Sequence, residues 1–172
     1  MFYRIIKEFF LKKVVNKGLL GYKLQDSEDK IKSIGILVDE SDISSKDLVL
    51  KQLQSYNLDV ETIEVLVFKD KIKAKEVLQE PFYSLKDISL TGKVAKPSVQ
   101  KFIEEPFDLL INFYDEPKAS LNMIAKKSNA KFKVGFSSVD KRINHLIIHS
   151  EVESLKEFIA ELIKYLQILN KI

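Results

Sequence analysis

From residue 31 onward two hydrophobic rhythms alternate along the chain. Short apolar, β-branched runs give strands, and stretches with apolar residues every three or four positions give helices. The strands read as 31–38 (IKSIGILV), Thr62–Phe68 (TIEVLVF), 107–113 (FDLLINF), 131–136 and 144–149 (NHLIIH). The third is almost wholly apolar and is expected at the centre of the sheet. A helix capped by Asp42 or Ser44 carries Leu48, Leu50 and Leu53 to about Tyr56. Another spans 117–127, with Pro117 in a first turn that needs no N–H there. The last begins near Ser154, where Ser154-x-x-Glu157 has the form of a capping box. Its Leu155, Ile159, Leu162, Leu166 and Leu169 make one stripe of core-packing length, and its outer side leaves a homodimer open. Residues 69–105, broken by Pro81, Gly92 and Pro97, read as an irregular excursion with a basic tip at 69–75 and a short helix at 98–104. Strand–helix alternation predicts one α/β domain over residues 31–172. Its mostly parallel five-stranded sheet would be covered on both faces, flavodoxin-like or Rossmann-like, with right-handed crossovers.

Residues 1–21 follow a different pattern. Phe2, Ile5, Ile6, Phe9 and Phe10 recur at spacings of three and four, which predicts a helix with one apolar face. Arg4, Lys7, Glu8 and Leu11 fall on the other side, and Gly18 and Gly21 stop the helix. A polar linker over 22–30 separates this basic amphipathic helix from the first strand. Three readings compete. The helix packs on its own domain; it lies on an anionic membrane surface with Phe2, Ile6, Phe9 and Phe10 in the interface; or it docks on a protein or on RNA. The residues that would make an external contact are Phe2, Arg4, Lys7, Phe9, Phe10, Lys12 and Lys13.

Charge sharpens this division. The formal net charge is +3, yet residues 1–17 hold five cations against one acid and so carry +4. The remainder, at −1, offers no general attraction for nucleic acid. With 45% hydrophobic and 31% charged residues the composition is that of a globular protein. There is no cysteine, which removes disulfides, thiolate metal sites and thiol catalysis. No apolar run approaches the ~18–20 residues of a membrane span, and the interleaved charges of the N-terminus do not form a signal peptide. A cytoplasmic location is expected, with peripheral attachment to the inner membrane face as an extension of it.

Residues 108–136 resemble part of the acceptor-side half of bacterial heptosyltransferases. The matching pieces are Asp108-Leu109-Leu110-Ile111, Ala119-Ser120 and Lys133-Val134-Gly135-Phe136. That family needs a second half for its sugar nucleotide, and the chain has no room for one. The runs IGILVDESD, VLVFKDK, FDLLINFYD and KFKVGFSSVDKRINH resemble a family of uncharacterised cytoplasmic proteins from flavobacteria and relatives, which implies no function.

Open parallel sheets bind ligands beyond the carboxyl ends of their strands. There the chain places Asp39 and Glu40, Asp115 and Glu116, then Ser137, Ser138, Asp140, Lys141 and Arg142. Asp39, Asp115, Ser137, Ser138, Asp140 and Arg142 are therefore the cleft candidates. The competing reading is that such residues make turns and cap helices. The acids resemble the Mg²⁺ pocket of phospho-receiver domains, but His149-Ser150 stands where that pocket has a lysine. The turn VDESDISS lacks the glycines that let backbone N–H groups cradle phosphate. His145 and His149, on one strand, would lie ~13 Å apart, too far to share a metal. No G-x-S-x-G elbow is present. The sequence thus names no catalytic residue, cofactor or metal. It favours a non-catalytic binding or adaptor protein acting through its first helix, with an unidentified protein as the first partner and an anionic membrane or RNA as alternatives. The rival is a small enzyme or ligand sensor using the strand-end carboxylates.

Overall fold

The computed structural model describes residues 2–24, 29–40, 46–70 and 81–172, with side chains from residue 3. Six strands form one parallel sheet: β1 (Ser33–Asp39), β2 (Thr62–Phe68), β3 (Phe82–Tyr83), β4 (Leu109–Phe113), β5 (Phe132–Phe136) and β6 (Leu146–Ile148). Their spatial order is β3-β2-β1-β4-β5-β6, that of doubly wound dinucleotide-binding sheets. The helices are α1 (Phe2–Leu19), α2 (Lys46–Gln54), α3 (Pro97–Glu104), α4 (Ala119–Lys127) and α5 (Leu155–Ile168). Every residue of β4 and the five interior residues of β1 are buried, so both sheet faces are covered. α2 packs with α5, while α4 packs with α1 and α3.

The sheet has six strands rather than five. β3 is two residues long and pairs Phe82 with Val67 and Tyr83 with Phe68. A strand that short has no alternation to read. Ser84 follows with a capping box around a single 3₁₀ turn. Its hydroxyl accepts from the Lys86 N–H, and the Asp87 carboxylate accepts from the Ser84 N–H at 2.8 Å. An isolated bridge joins Ile88 to Val94, so this part of the expected excursion is ordered. Of the basic tip at 69–75, residues 71–75 lie outside the described residues, as do the caps Asp42 and Ser44. At α5, Ser154 makes no side-chain cap bond, because its backbone is not extended as a cap requires. From the stripe of α5, Ile159, Leu162 and Leu166 are buried and Leu169 is exposed.

Two features lock the amino ends of the strands. The Asp108 carboxylate accepts from the Lys32 and Ser33 N–H groups at 3.0 Å and from Lys131 Nζ at 2.9 Å, tying β1 to β4 and β5. Burial alone would raise this carboxyl; the bonds from Lys131, Lys32 and Ser33 outweigh it and hold Asp108 below its ordinary value. Gly35 is required because Phe107 fills the space of its side chain, with ring carbon 2.6 Å from where a Cβ would stand. On the α2–α5 face, Phe136 stacks on Phe158 at 4.4 Å and Phe113 meets Phe158 edge-on at 5.4 Å.

Candidate functional site

The strand order reverses between β1 and β4, so a ligand crevice is expected where these two strands end. Several of its charged groups are engaged within the chain. Lys118 Nζ donates to Asp39 at 2.6 Å, with both side chains nearly buried. Burial would lower the Lys118 ammonium, but Asp39 holds it above its ordinary value. Glu40 accepts from the Lys46 N–H at 3.3 Å, at the start of α2. Burial lifts the Asp115 carboxyl, with like charge from Glu153, Glu116 and Asp39 adding to it. Asp140 and Arg142 form a two-pronged pair at 2.9 and 2.6 Å, and the bond from Arg142 holds Asp140 below its ordinary value. Ser137 donates its N–H to the Ile148 carbonyl, and Ser138 lies exposed in the next turn. Thus Asp39 and Asp115 share the crevice, whereas Asp140 and Arg142 neutralise each other beside β5. No cluster of three acids or histidines able to hold a metal ion occurs among the described residues.

The N-terminus of α4, where an anion would be held in such a crevice, receives a carboxylate from the chain itself. Glu8 accepts from the Ala119 N–H at 2.9 Å and from the Ser120 hydroxyl at 3.1 Å. No side chain of the local cap residue Lys118 makes this bond. Glu8 therefore satisfies an orphan amide and complements the helix dipole from 111 residues away.

Glu8 reaches α4 because α1 lies against it. Leu11, Val15 and Leu19 recur every four residues and belong to the main hydrophobic core. Lys7 continues this stripe, 3% exposed, with Nζ donating to the Tyr3 hydroxyl at 3.1 Å. Arg4 is tied to Asp70, beyond the end of β2, at 2.5 Å. The side expected to be polar is thus the packed one. Lys7 is turned inward and is not an external contact residue. The side chain of Phe2 lies outside the described residues. The outer side of α1 holds Tyr3, Ile5, Ile6, Phe9 and Phe10, which are 37–63% exposed. Phe9 and Phe10 meet edge-on at 5.9 Å, and Lys13 Nζ sits 4.5 Å over the Phe9 ring. Lys12, Lys13 and Lys17 are exposed along the following turns. The sequence did contain a signal for the packed stripe: the series Lys7, Leu11, Val15, Leu19. It was obscured because apolar residues occur on both sides of the helix.

The model of a family of unknown function, DUF6913, matches residues 7–169. The chain belongs to this family. The matched span begins in α1 and takes in Glu8, Leu11, Val15 and Leu19. No curated protein and no solved structure matches the chain, so the resemblance to heptosyltransferases gains no support.

A second concavity in this DUF6913 protein lies at the amino ends of β5 and β6. It encloses about 520 Å³ and is lined by Tyr22, Lys126, Lys131, Lys133 and His145 among others. Lys133 is 2% exposed and donates to the Ala125 and Ser128 carbonyls at 2.8 and 2.7 Å, which closes the C-terminus of α4. Burial, and then the neighbouring Lys126, push its ammonium down to about 8. Lys131 is committed to Asp29 and Asp108. His145 stacks on Phe132 at 5.0 Å, and its Nδ1 accepts from the Lys133 N–H at 3.0 Å. His149 is exposed on the far side of β6. These groups close a helix end and a sheet corner.

Proposed function

We propose that this DUF6913 protein is a non-catalytic, cytoplasmic binding protein that attaches to its partner through the outer face of α1. The observation that carries this reading is the contrast between the two sides of one helix. The inner side is fastened by core residues, by Glu8 on α4 and by Arg4 on Asp70. The outer side leaves five large apolar residues in contact with solvent. A contiguous exposed apolar patch on an otherwise well-packed domain is characteristic of an interaction surface. The helix thus carries apolar residues on both sides: Leu11, Val15 and Leu19 face the domain, and Tyr3, Phe9 and Phe10 face out. The crevice supports the same reading, since Asp39, Asp140 and the α4 N-terminus are each occupied by a partner from the chain.

Removing residues 1–17 would be a poor test, because it also removes Leu11 and Val15 from the core. Phe9→Asp/Phe10→Asp changes the outer face alone. In the native host, the wild-type protein is expected in a high-mass or particulate fraction and the double variant as free monomer. Asp39→Ala, Asp115→Ala and Arg142→Ala should keep the wild-type distribution. The opposite pattern, with the crevice variants affected and the double variant normal, overturns the reading.

A further inference from the structure

Resting on that reading, we infer that the occupant of the α1 outer face is an anionic phospholipid bilayer, on which the helix lies flat. The charge on this face is of one sign. Glu8 is the sole acid of α1, and it is withdrawn onto α4. What remains outward is Tyr3, Ile5, Ile6, Phe9 and Phe10, followed along the helix by Lys12, Lys13 and Lys17. Aromatic and aliphatic side chains beside exposed lysines are the composition of an interfacial helix. The apolar groups enter the headgroup–acyl boundary, and the ammoniums stay among the phosphates.

The occupant follows from the chemistry of the face. Ile5 and Ile6 have no π-face, so they would add nothing to stacking with unpaired bases. The apolar residues are flanked by exposed lysines with no outward acid on the helix, a pairing that an anionic headgroup layer over an acyl boundary complements. An isolated helix of this length would bind weakly, since it must order itself on the membrane. Here Leu11, Val15, Leu19 and Glu8 hold α1 folded beforehand, so that cost is met when the domain folds.

The chain contains no tryptophan, so Phe9→Trp installs a single reporter on the face. The probe is unilamellar vesicles of phosphatidylcholine, alone or with about one third phosphatidylglycerol. With the full-length chain, Trp emission should shift to shorter wavelength on the anionic vesicles. Flotation with those vesicles should weaken about fivefold for each cation removed at Lys12→Gln and Lys13→Gln, and should fall as salt is raised. Leu48→Trp, an exposed site on α2, should show no shift. No blue shift together with no flotation overturns the inference. A photo-crosslinking phenylalanine analogue at position 10 in the host separates the two failures. Adducts to a protein without vesicle binding leave the attachment reading standing. Neither adducts nor vesicle binding overturns both.

Discussion

At the scale of single residues, buried polar groups mark where this fold is most exacting. Asn112 is fully buried in β4 and donates from Nδ2 to the Asn144 Oδ1 at 2.7 Å. Among the described residues, the Asn112 Oδ1 and Asn144 Nδ2 have no hydrogen-bond partner. Gly135 makes room for this pair, since a Cβ there would stand 2.6 Å from Asn144. Lys133 is one of the buried cations, and its behaviour with pH is testable. Its folded-state value of about 8 lies below the ordinary 10.5 of a lysine. Between these values the unfolded chain holds more protons than the folded one, so stability from this group rises with pH from about 8 to 10.5. The wild type should therefore gain on Lys133→Met across that window, by on the order of 3 kcal/mol in denaturant unfolding. A constant difference would show that Lys133 titrates normally. Neither role was legible in sequence: Lys133 and Asn112 interrupt apolar strands, and only three dimensions show what each one meets.

At the scale of elements, what could be read depended on length and on one-sidedness. β1, β2 and β4 announce themselves as mostly β-branched or apolar runs, because strands buried on both faces over most of their length need no alternation. β3 was illegible because two residues carry no period. α1 was legible as a helix but not in orientation. Ile5, Ile6, Phe9 and Phe10 look more hydrophobic than Leu11, Val15 and Leu19, yet the smaller set fits against α4. Stability should follow the packed side. Leu11→Ala should cost about 2–5 kcal/mol, whereas Phe9→Ala, at an exposed site, should stay within about 0.5 kcal/mol of wild type. Glu8→Ala should cost about 1 kcal/mol, as loss of a helix cap does. Thermal or urea unfolding of the three variants checks the order. A larger loss at Phe9 than at Leu11 would place α1 the other way round.

At the scale of the whole molecule, a parallel α/β sheet and the carboxylates at its strand ends were foreseeable from strand–helix alternation, but the sixth strand was not. Nor was the closure of the crevice where β1 and β4 end. Lys118 comes from the turn before α4 and Glu8 from the opposite end of the chain, and no local spacing predicts that either will meet its partner. With these pairs made, the domain directs its chemistry inward and one helix face outward. The most direct test of this account is the mobility of fluorescently tagged protein in the native host, compared between wild type and Phe9→Asp/Phe10→Asp. The account predicts slow, confined diffusion for the wild type and free diffusion for the variant, with unchanged unfolding temperature. Equal mobility of the two proteins would contradict it.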